Sequence, residues 1–192
     1  ILMIMSPSKI SSKTSVIILA AGLGKRMCSS LPKVLVPVCG RPMLFNSLSQ
    51  LEAVVPNAHV AIVVGYQKEK VIEQVTSQKF KLRIEFIEQS EQKGTGHAVK
   101  CAMATDWGKR AVANKEDVFV LSGDLPLLSA ELVKEMCEPL KRGAAIKLLT
   151  AILKEPFGYG RIIRKSKKGG VVRIVEEKDA SSREKLIQEV GL

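Results

Sequence analysis

The sequence predicts an α/β protein with a doubly wound, mostly parallel sheet of the Rossmann-like type. Three short apolar runs rich in β-branched residues, typical of buried strands, lie at 16–19, His59–Val64 and 117–121. Segments with apolar residues three and four positions apart, typical of helices, lie between them at 44–55 and Lys68–Ser77. Strands that alternate with helices along a chain form right-handed units around a parallel sheet.

The remaining elements follow from the same two patterns and from the turn residues between them. Pro42 suits the first turn of the helix that reaches Val55, and Ser129 suits the N-cap of a later helix. We expect further strands at 82–87 and 145–153, and a hairpin of Arg161–Arg164 with Val171–Val175. We expect further helices at 98–106, after Ser129, and at 181–190.

The length of 192 residues predicts one domain with a sizeable core. Residues 1–15 begin apolar and turn polar without the features of a signal peptide, so we expect a flexible arm there and a domain over 16–192. The chain opens with Ile1, and Met3 and Met5 are alternative starts. Four cysteines far apart, with no CxxC pair, fit reduced thiols in a cytoplasmic protein.

The formal net charge of +11 indicates anionic partners. The Lys and Arg residues are spread along the chain, and only two Tyr and five Phe are available to stack on bases. We therefore expect a basic surface with one focused anion pocket rather than specific nucleic-acid binding. No apolar run approaches the roughly 18 residues that span a bilayer, so we expect no membrane partner.

The turn after the first strand has the composition of a phosphate site. Small residues that let backbone N–H groups approach an anion come first: Ala20, Ala21, Gly22 and Gly24. Cations follow them: Lys25, Arg26 and Lys33. Together they predict phosphate binding at the carboxyl end of a sheet strand, the alternative being an ordinary turn with solvated cations. The spacing matches neither the P-loop nor the dinucleotide fingerprint.

Asp124 follows the strand at 117–121 directly, after Gly123 and before Pro126. Ligands of such folds bind at the carboxyl ends of strands, and Mg²⁺ typically takes one or two carboxylates together with substrate phosphates. Asp124 is therefore a candidate Mg²⁺ ligand. The alternative is a turn residue, since Gly-Asp-Leu-Pro is a typical turn sequence.

The polar loop at 88–97 is a candidate base-binding loop. The amide of Gln89 both donates and accepts, which suits the edge of a pyrimidine, and the glycine at Gly94 lets backbone approach a ring. The alternative role of Thr95 is to cap the following helix. We interpret His97 as a packed or solvated histidine rather than a catalytic base.

Residues 155–161 form a glycine-rich turn, and Glu176 with Glu177 ends an apolar strand. The turn is a hairpin corner by the simplest interpretation, and the carboxylates are either solvated or accept bonds from sugar hydroxyls. The sequence contains no Ser-His-Asp or Cys-His nucleophile pattern. That favours direct displacement at phosphorus, in which positioning and charge neutralisation supply most of the catalysis.

Several spaced motifs resemble those of the sugar nucleotidyltransferases, and are most similar to those of the N-acetylglucosamine-1-phosphate uridylyltransferases. They occur in family order over about 16–190: LAAGLGKRM, LPKVL, EQ-x₄-GTGHA, GDLPLL, GYGRI and VEEKDAS. The resemblance implies a sheet of the nucleotidyltransferase type. It also implies transfer of UMP from UTP to a sugar 1-phosphate, N-acetylglucosamine 1-phosphate, with Mg²⁺ and release of pyrophosphate.

The resemblance also implies residue roles. Backbone atoms of Leu19, Ala20, Ala21 and Gly22 would hold the nucleotide, and Arg26 with Lys33 would neutralise the triphosphate. Uracil would be recognised by Gln89, Gly94 and Thr95, with Ser122 and Gly123 beside the nucleotide and Asp124 on Mg²⁺. Gly160 and Glu176 would contact the sugar.

The chain departs from the family pattern at two positions and at its end. Ser122 stands where the family has tyrosine, and Gly191 stands where it has asparagine. The family domain continues for roughly a third more residues, so we expect an incomplete domain that binds nucleotide and turns over slowly or not at all. No hexapeptide repeat occurs, so we expect no left-handed β-helix domain. The alternatives are a nucleotide-binding remnant without turnover, or transfer to another sugar phosphate or from another base.

Overall fold

The computed structural model describes residues 2–4, 14–22, 24, 29–138, 143–166 and 169–191. Contacts divide the chain into two compact units, a first unit, Leu2–Lys147, and a second unit that begins at Leu148. A single domain over 16–192 stays a prediction. None of the helices in the described ranges is long and apolar enough to cross a membrane.

The first unit alternates strands and helices, as the sequence predicts. Its strands are β1 (Leu2–Ile4), β2 (Thr14–Ala20), β3 (Pro37–Val38), β4 (Arg41–Pro42), β5 (His59–Val64), β6 (Arg83–Glu88), β7 (Asp117–Ser122) and β8 (Ile146–Leu148), the last residue of which already belongs to the second unit. Its helices are α1 (Met43–Val54), α2 (Lys68–Ser77), α3 (Thr95–Ala104), α4 (Asp106–Ala113) and α5 (Ala130–Cys137), and Lys33–Leu35 forms a 3₁₀ turn. As predicted, the Ser129 hydroxyl caps α5 and accepts from the backbone N–H of Leu132 at 3.2 Å.

The main sheet has the order β6-β5-β2-β7-β1-β8, and its first four strands are parallel. The doubly wound, mostly parallel sheet is confirmed. The chain runs outward from β2 through β5 to β6 and then returns to β7 on the other side of β2. The strand order therefore reverses between β2 and β7, and ligands of open α/β sheets bind at such a switch point.

Strand β1 lies within the segment predicted to be a flexible arm. Leu2 to Ile4 pair antiparallel with Val120 to Val118 of β7, so this part of 1–15 is ordered in the sheet. The rest of the predicted arm before Thr14 lies outside the described residues. Strand β2 then starts at Thr14, two positions before the predicted strand.

The apolar runs seen in the sequence form the buried core of the first unit. Val16, Ile17 and Ile18 of β2 are fully buried, because a central parallel strand is covered by helices on both faces. On α1, three leucines at helical spacing are fully buried: Leu44, Leu48 and Leu51. Helix α1 contacts α5 and the 3₁₀ turn that contains Lys33.

The prediction of one helix at 98–106 is wrong in its bounds and omits α4. Helix α3 starts three residues earlier, at Thr95, and the chain becomes extended at Thr105 before α4 begins. Trp107 and Ala111 of α4 are buried, each about 1 % exposed. A Cβ on Gly108 would lie 2.4 Å from backbone atoms of Met103, so α4 packs directly on the end of α3.

The second unit is an antiparallel sheet of order β11-β10-β12-β9. Its strands are β9 (Thr150–Ile152), β10 (Arg161–Arg164), β11 (Val171–Val175) and β12 (Glu189–Gly191). The predicted hairpin of β10 and β11 is confirmed. The prediction of a single strand at 145–153 is wrong, because the strand is interrupted at Leu149. Its two parts, β8 and β9, pair in different sheets.

The predicted final helix at 181–190 is also wrong. Only Glu184–Leu186 forms a 3₁₀ turn, and β12 follows it. Val190 is fully buried and pairs with Ala151 of β9 and with Arg161 of β10. Sheet pairing on both sides of β12 therefore overrides the local helical spacing of this segment.

Candidate active site

A cleft of about 730 Å³ lies in the first unit at the switch point between β2 and β7. Most residues predicted for the nucleotide site line this cleft: Leu19, Ala21, Gly22, Lys33, Gln89, Gly94, Thr95, Ser122 and Asp124. They come from the carboxyl ends of β2, β6 and β7 and from the segments that follow these strands, including the first residue of α3. Because the carboxyl ends of parallel strands meet at one edge of a sheet, residues far apart in sequence meet here.

The remaining predicted residues fall in three other places. Ala20 is buried at the end of β2, and Gly123 donates its N–H to the carbonyl of Leu19 at 2.9 Å. Gly160 and Glu176 belong to the second unit. Arg26 lies outside the described residues.

Lys33 and Asp124 form an ion pair in the cleft. Lys33 begins the 3₁₀ turn that follows Pro32, and the buried side chains of Val34 and Leu35 hold that turn in place. Asp124 also accepts a hydrogen bond from the hydroxyl of Ser122. The cation and the carboxylate therefore neutralise one another.

The surroundings of Asp124 keep its carboxyl ionised. Partial burial acts to raise its pKa, but the hydrogen bonds from Lys33 and Ser122 outweigh burial and hold the pKa below its ordinary value. An ionised carboxylate at the carboxyl end of β7 is a hard oxygen ligand. It is thus able to bind a divalent cation near neutral pH.

Gly24 allows Lys33 to approach the turn after β2. It adopts φ +58°, and a Cβ there would lie 2.8 Å from the Cβ of Lys33. Any other residue would be strained by the backbone angle and would also push Lys33 away. The glycine therefore fixes the distance between the small-residue turn and the cation that follows it.

Gln89 is a buried polar residue on the cleft wall, with only 4 % of its surface exposed. Its backbone N–H donates to the carbonyl of Val64 at 2.8 Å, which extends the pairing of β5 with β6. Its side-chain nitrogen Nε2 lies 3.1 Å from the carbonyl of Gly94 and 3.0 Å from Nδ1 of His97. The loop between Gln89 and α3 is therefore closed by the amide of Gln89.

Thr95 is the first residue of α3, and Gly94, at φ +91°, is its N-cap. The alternative role considered for Thr95, a side-chain cap of this helix, is wrong, because no side chain caps α3. The positive φ at Gly94 turns the chain sharply into the helix. The hydroxyl-bearing residue at the helix start is thus left to line the cleft.

Gln92 is a cleft residue that sequence reasoning missed. Its side-chain nitrogen donates to the carbonyl of Ala21 at 2.8 Å and ties the loop after β6 to the turn after β2. Its amide and its position three residues after Gln89, in the same polar loop, are the signal that the sequence offers. Val34 and Ala98 also line the cleft without having been assigned to it, and Gly24, predicted as part of the phosphate-binding turn, lines it too.

In the second unit, Gly160 and Glu176 lie side by side. A Cβ on Gly160 would be 3.5 Å from Oε1 of Glu176 and 2.9 Å from Cγ2 of Ile174, so a larger residue here would require the side chain of Ile174 to shift. Arg161, with a side chain 2 % exposed, bonds Glu177 at 2.6 Å, and Glu177 accepts from the backbone N–H of Gly158 at 3.1 Å. This pair fixes the glycine-rich turn at the start of β10.

A scan against protein-family models matches residues 16–166 to the MobA-like NTP transferase domain. Curated relatives named bifunctional protein GlmU are similar over almost the whole chain. The relative from Caldicellulosiruptor saccharolyticus is 39 % identical over 182 residues, which is 94 % of this chain and 37 % of that protein. The relative from Thermoanaerobacter pseudethanolicus is 42 % identical over 176 residues, 91 % of this chain and 36 % of that protein. The chain thus spans about a third of the length of these relatives.

The fold is similar to that of a solved UDP-glucose pyrophosphorylase in complex with UDP-glucose. The TM-score is 0.61 at 16 % sequence identity, over 93 % of this chain and 73 % of that one. At this identity the likeness concerns the fold alone. The family match runs from within β2 to the end of β10 and includes every cleft residue named above, and on that basis the chain belongs to the family of MobA-like NTP transferase domains.

Proposed function

We propose that this domain transfers UMP from UTP to N-acetylglucosamine 1-phosphate, giving UDP-N-acetylglucosamine and pyrophosphate. The proposal is carried by the Lys33–Asp124 pair, which puts a cation and an ionised carboxylate at the switch point of a nucleotidyltransferase sheet. The motif resemblance to N-acetylglucosamine-1-phosphate uridylyltransferases and the similarity to proteins named GlmU support the choice of substrates.

The nucleotide would bind in the cleft of the first unit. Backbone atoms of the turn after β2, from Leu19 to Gly22, would hold it, and Gly123 would keep that turn against β7. On binding, Lys33 would exchange its bond with Asp124 for bonds to the phosphates. Arg26 is proposed to add a second cation, on the resemblance alone.

The donor set supports Mg²⁺ as the metal. The described ranges contain no group of three His, Cys, Asp or Glu side chains that could hold a metal. Mg²⁺ does not need such a group, because it keeps waters and takes one or two carboxylates with the substrate's phosphates. Asp124 would be the ligand on this chain, and the bound ion would neutralise phosphate charge as the reaction proceeds.

Uracil would be recognised by the loop after β6. The amide nitrogen of Gln89 is occupied by Gly94 and His97, which leaves its oxygen Oε1 as the available polar atom. An acceptor there suits the N3–H of uracil. Backbone groups at Gly94 and Thr95 would complete the contact with the base.

The acceptor sugar would be held by Gly160 and Glu176 of the second unit. Glu176 lies beside Gly160, which carries no side chain, so a sugar ring could approach the backbone next to a carboxylate. Carboxylates accept strong hydrogen bonds from hydroxyl groups. The Arg161–Glu177 pair would keep this turn in one conformation.

The reaction would be a direct displacement. A phosphate oxygen of the sugar 1-phosphate attacks the α-phosphorus of UTP, a P–O bond forms, and the bond to the β-phosphate breaks so that pyrophosphate leaves with its electron pair. Lys33 would stabilise the charge that spreads over the phosphate oxygens. The proposal requires no covalent intermediate with the protein.

The test is pyrophosphate release by the purified chain with Mg²⁺ and N-acetylglucosamine 1-phosphate, with UTP, CTP, dTTP or GTP as the donor. Calorimetric titration of each nucleotide runs in parallel. We expect UTP to bind most tightly. Pyrophosphate release, which the sequence predicts to be slow or absent in this chain, should require UTP and the sugar phosphate wherever it is detected and should disappear in Asp124→Asn. Binding of all four nucleotides with equal affinity, or no binding of UTP, would contradict the proposal.

A further inference from the structure

Both amide hydrogens of Gln89 are used inside the protein. Its Nε2 lies within hydrogen-bond distance of two partners, the carbonyl oxygen of Gly94 and Nδ1 of His97. An amide nitrogen has two hydrogens, so these two bonds exhaust its donors. Among the described residues, Oε1 of Gln89 has no hydrogen-bond partner, although the side chain lines the cleft.

The two partners of Nε2 of Gln89 differ in whether they always act as hydrogen-bond acceptors. A carbonyl oxygen such as that of Gly94 is always an acceptor. The ring nitrogen of His97 accepts only when it carries no proton, so the contact assigns the proton of the neutral ring to Nε2. His97 sits in the first turns of α3, and its ring lies 3.8–3.9 Å from Sγ of Cys101, one turn further along.

We propose that His97 is a positioning residue for base selection. It holds the amide of Gln89 with the nitrogen turned toward the protein, so that the oxygen faces the nucleotide base. This inference rests on the proposed function, because it concerns the same nucleotide cleft. It gives His97 a role beyond that of the packed or solvated histidine expected from the sequence.

The orientation decides which pyrimidine fits. Uracil has an N–H donor at ring position 3, whereas cytosine has an acceptor lone pair there. An amide oxygen directed at that position pairs with uracil and repels cytosine, and an amide nitrogen would do the reverse. Without His97, one hydrogen of the Gln89 amide loses its partner, and rotation of the amide becomes less costly.

If the role of His97 were purely structural, its loss would affect UTP and CTP binding differently from what the positioning role predicts. If the ring only packs against Cys101 and the helix, its loss would weaken the binding of UTP and CTP equally. A positioning role predicts a change in the ratio of the two affinities. The ratio is therefore the readout that separates the two interpretations.

The experiment titrates UTP and CTP, each with Mg²⁺, into the wild type, His97→Leu and His97→Asn. The second histidine, His59, supplies a matched control in His59→Asn, because it pairs with Glu85 and stacks edge-on to Trp107 outside the cleft. We expect His97→Leu to lower the UTP-to-CTP affinity ratio by about tenfold, the scale of one displaced hydrogen bond. His97→Asn, whose amide oxygen is an acceptor, should restore most of the ratio, and His59→Asn should leave it unchanged.

A second measurement needs no variant. Long-range ¹H–¹⁵N correlation spectra of the wild-type chain report the tautomer of each histidine, and we expect His97 to carry its proton on Nε2. A proton on Nδ1, or an unchanged affinity ratio in His97→Leu, would overturn the inference while leaving the proposed function intact. A wild type that binds UTP no better than CTP would instead contradict the proposed base preference, and with it this inference.

Discussion

Lys33 and Asp124 form an ion pair across the point where the strand order of the main sheet reverses. Lys33 follows β2 and Asp124 follows β7, and these two parallel strands are adjacent in the sheet. The pair lies on the wall of the cleft and remains partly exposed, with 40 % of the Lys33 side chain and 21 % of the Asp124 side chain accessible. The cleft wall therefore carries a positive charge that can contact an anionic nucleotide and a negative charge that can contact a cation.

Lys33→Ala should weaken UTP binding by ten- to a hundredfold. A hydrogen bond to a charged group contributes about 1.5–3 kcal/mol, and each 1.4 kcal/mol is a factor of ten in affinity. The measurement is calorimetric titration of Mg·UTP into the variant and the wild type. Lys109→Ala is the matched control, because Lys109 also pairs with an aspartate, Asp106, but on an exposed face of α4. Equal weakening in both variants would assign the effect to net charge rather than to the cleft.

The stabilising contribution of Asp124 should disappear in acid. Its pKa is lowered in the folded protein, so its ionised form is stabilised by folding. A carboxyl with a lowered folded pKa contributes stability above its unfolded value, near pH 4, and loses it as the pH falls through the folded value. We expect the difference in free energy of unfolding between the wild type and Asp124→Asn to be constant from pH 5 to 7 and to shrink below about pH 4.

Urea unfolding at pH 7, 5 and 3 measures this difference. The same comparison in a Lys33→Met background separates the contribution of the ion pair, because Lys33 supplies the largest effect that lowers the Asp124 pKa. In that background the change between pH 5 and 3 should be smaller. A change of the same size would show that Ser122, and not Lys33, controls the titration.

Gly24→Ala should reduce nucleotide affinity through Lys33. The substitution combines a left-handed backbone angle, φ +58°, with a Cβ only 2.8 Å from that of Lys33. Gly40→Ala carries the same kind of backbone strain, φ +78°, with no atom within 4 Å of the new Cβ. Both variants should lose about 1 kcal/mol of stability. Only Gly24→Ala should also lose UTP affinity, and loss in Gly40→Ala as well would refute the explanation through Lys33.

The sequence predicts the parts of the molecule in which local pattern and tertiary environment agree. Strands β2, β5 and β7 are buried on both faces, and their unbroken apolar runs are what such burial requires. Since these strands are parallel neighbours, the loops that follow them have to meet at one edge. For this reason the sequence alone is enough to make Lys33 and Asp124 candidates for one site.

The features that the sequence does not reveal depend on partners distant in the chain or on side-chain geometry. The segment at 181–190 has helical spacing, but β12 gains pairing with β9 and β10 that no local pattern reveals. The amide of Gln89 is a candidate from its chemistry alone. Its contact with His97 follows from the turn at Gly94, whose φ of +91° brings the first turn of α3 back over the loop.

Helix α4, which the sequence pattern did not predict, supplies the sharpest stability test. Gly108 of α4 touches α3 so closely that a Cβ would lie 2.4 Å from both Cα and the carbonyl oxygen of Met103. Because these are backbone atoms, no rotamer change relieves the overlap, and α4 must shift together with the buried Trp107. We expect Gly108→Ala to lower the free energy of unfolding by about 1–3 kcal/mol, as overpacked core substitutions do.

A glycine-to-alanine substitution in the preceding helix, α3, should not lower the free energy of unfolding. Gly96 lies in the first turn of α3, and a Cβ there meets nothing within 4 Å. Alanine favours a helix over glycine by up to about 1 kcal/mol, so Gly96→Ala should be neutral or stabilising. Urea unfolding followed by far-ultraviolet circular dichroism, with tryptophan fluorescence reporting on Trp107, measures both variants. If Gly108→Ala is as stable as Gly96→Ala, then α4 does not pack on the end of α3 as described, and the buried position of Trp107 would also need revision.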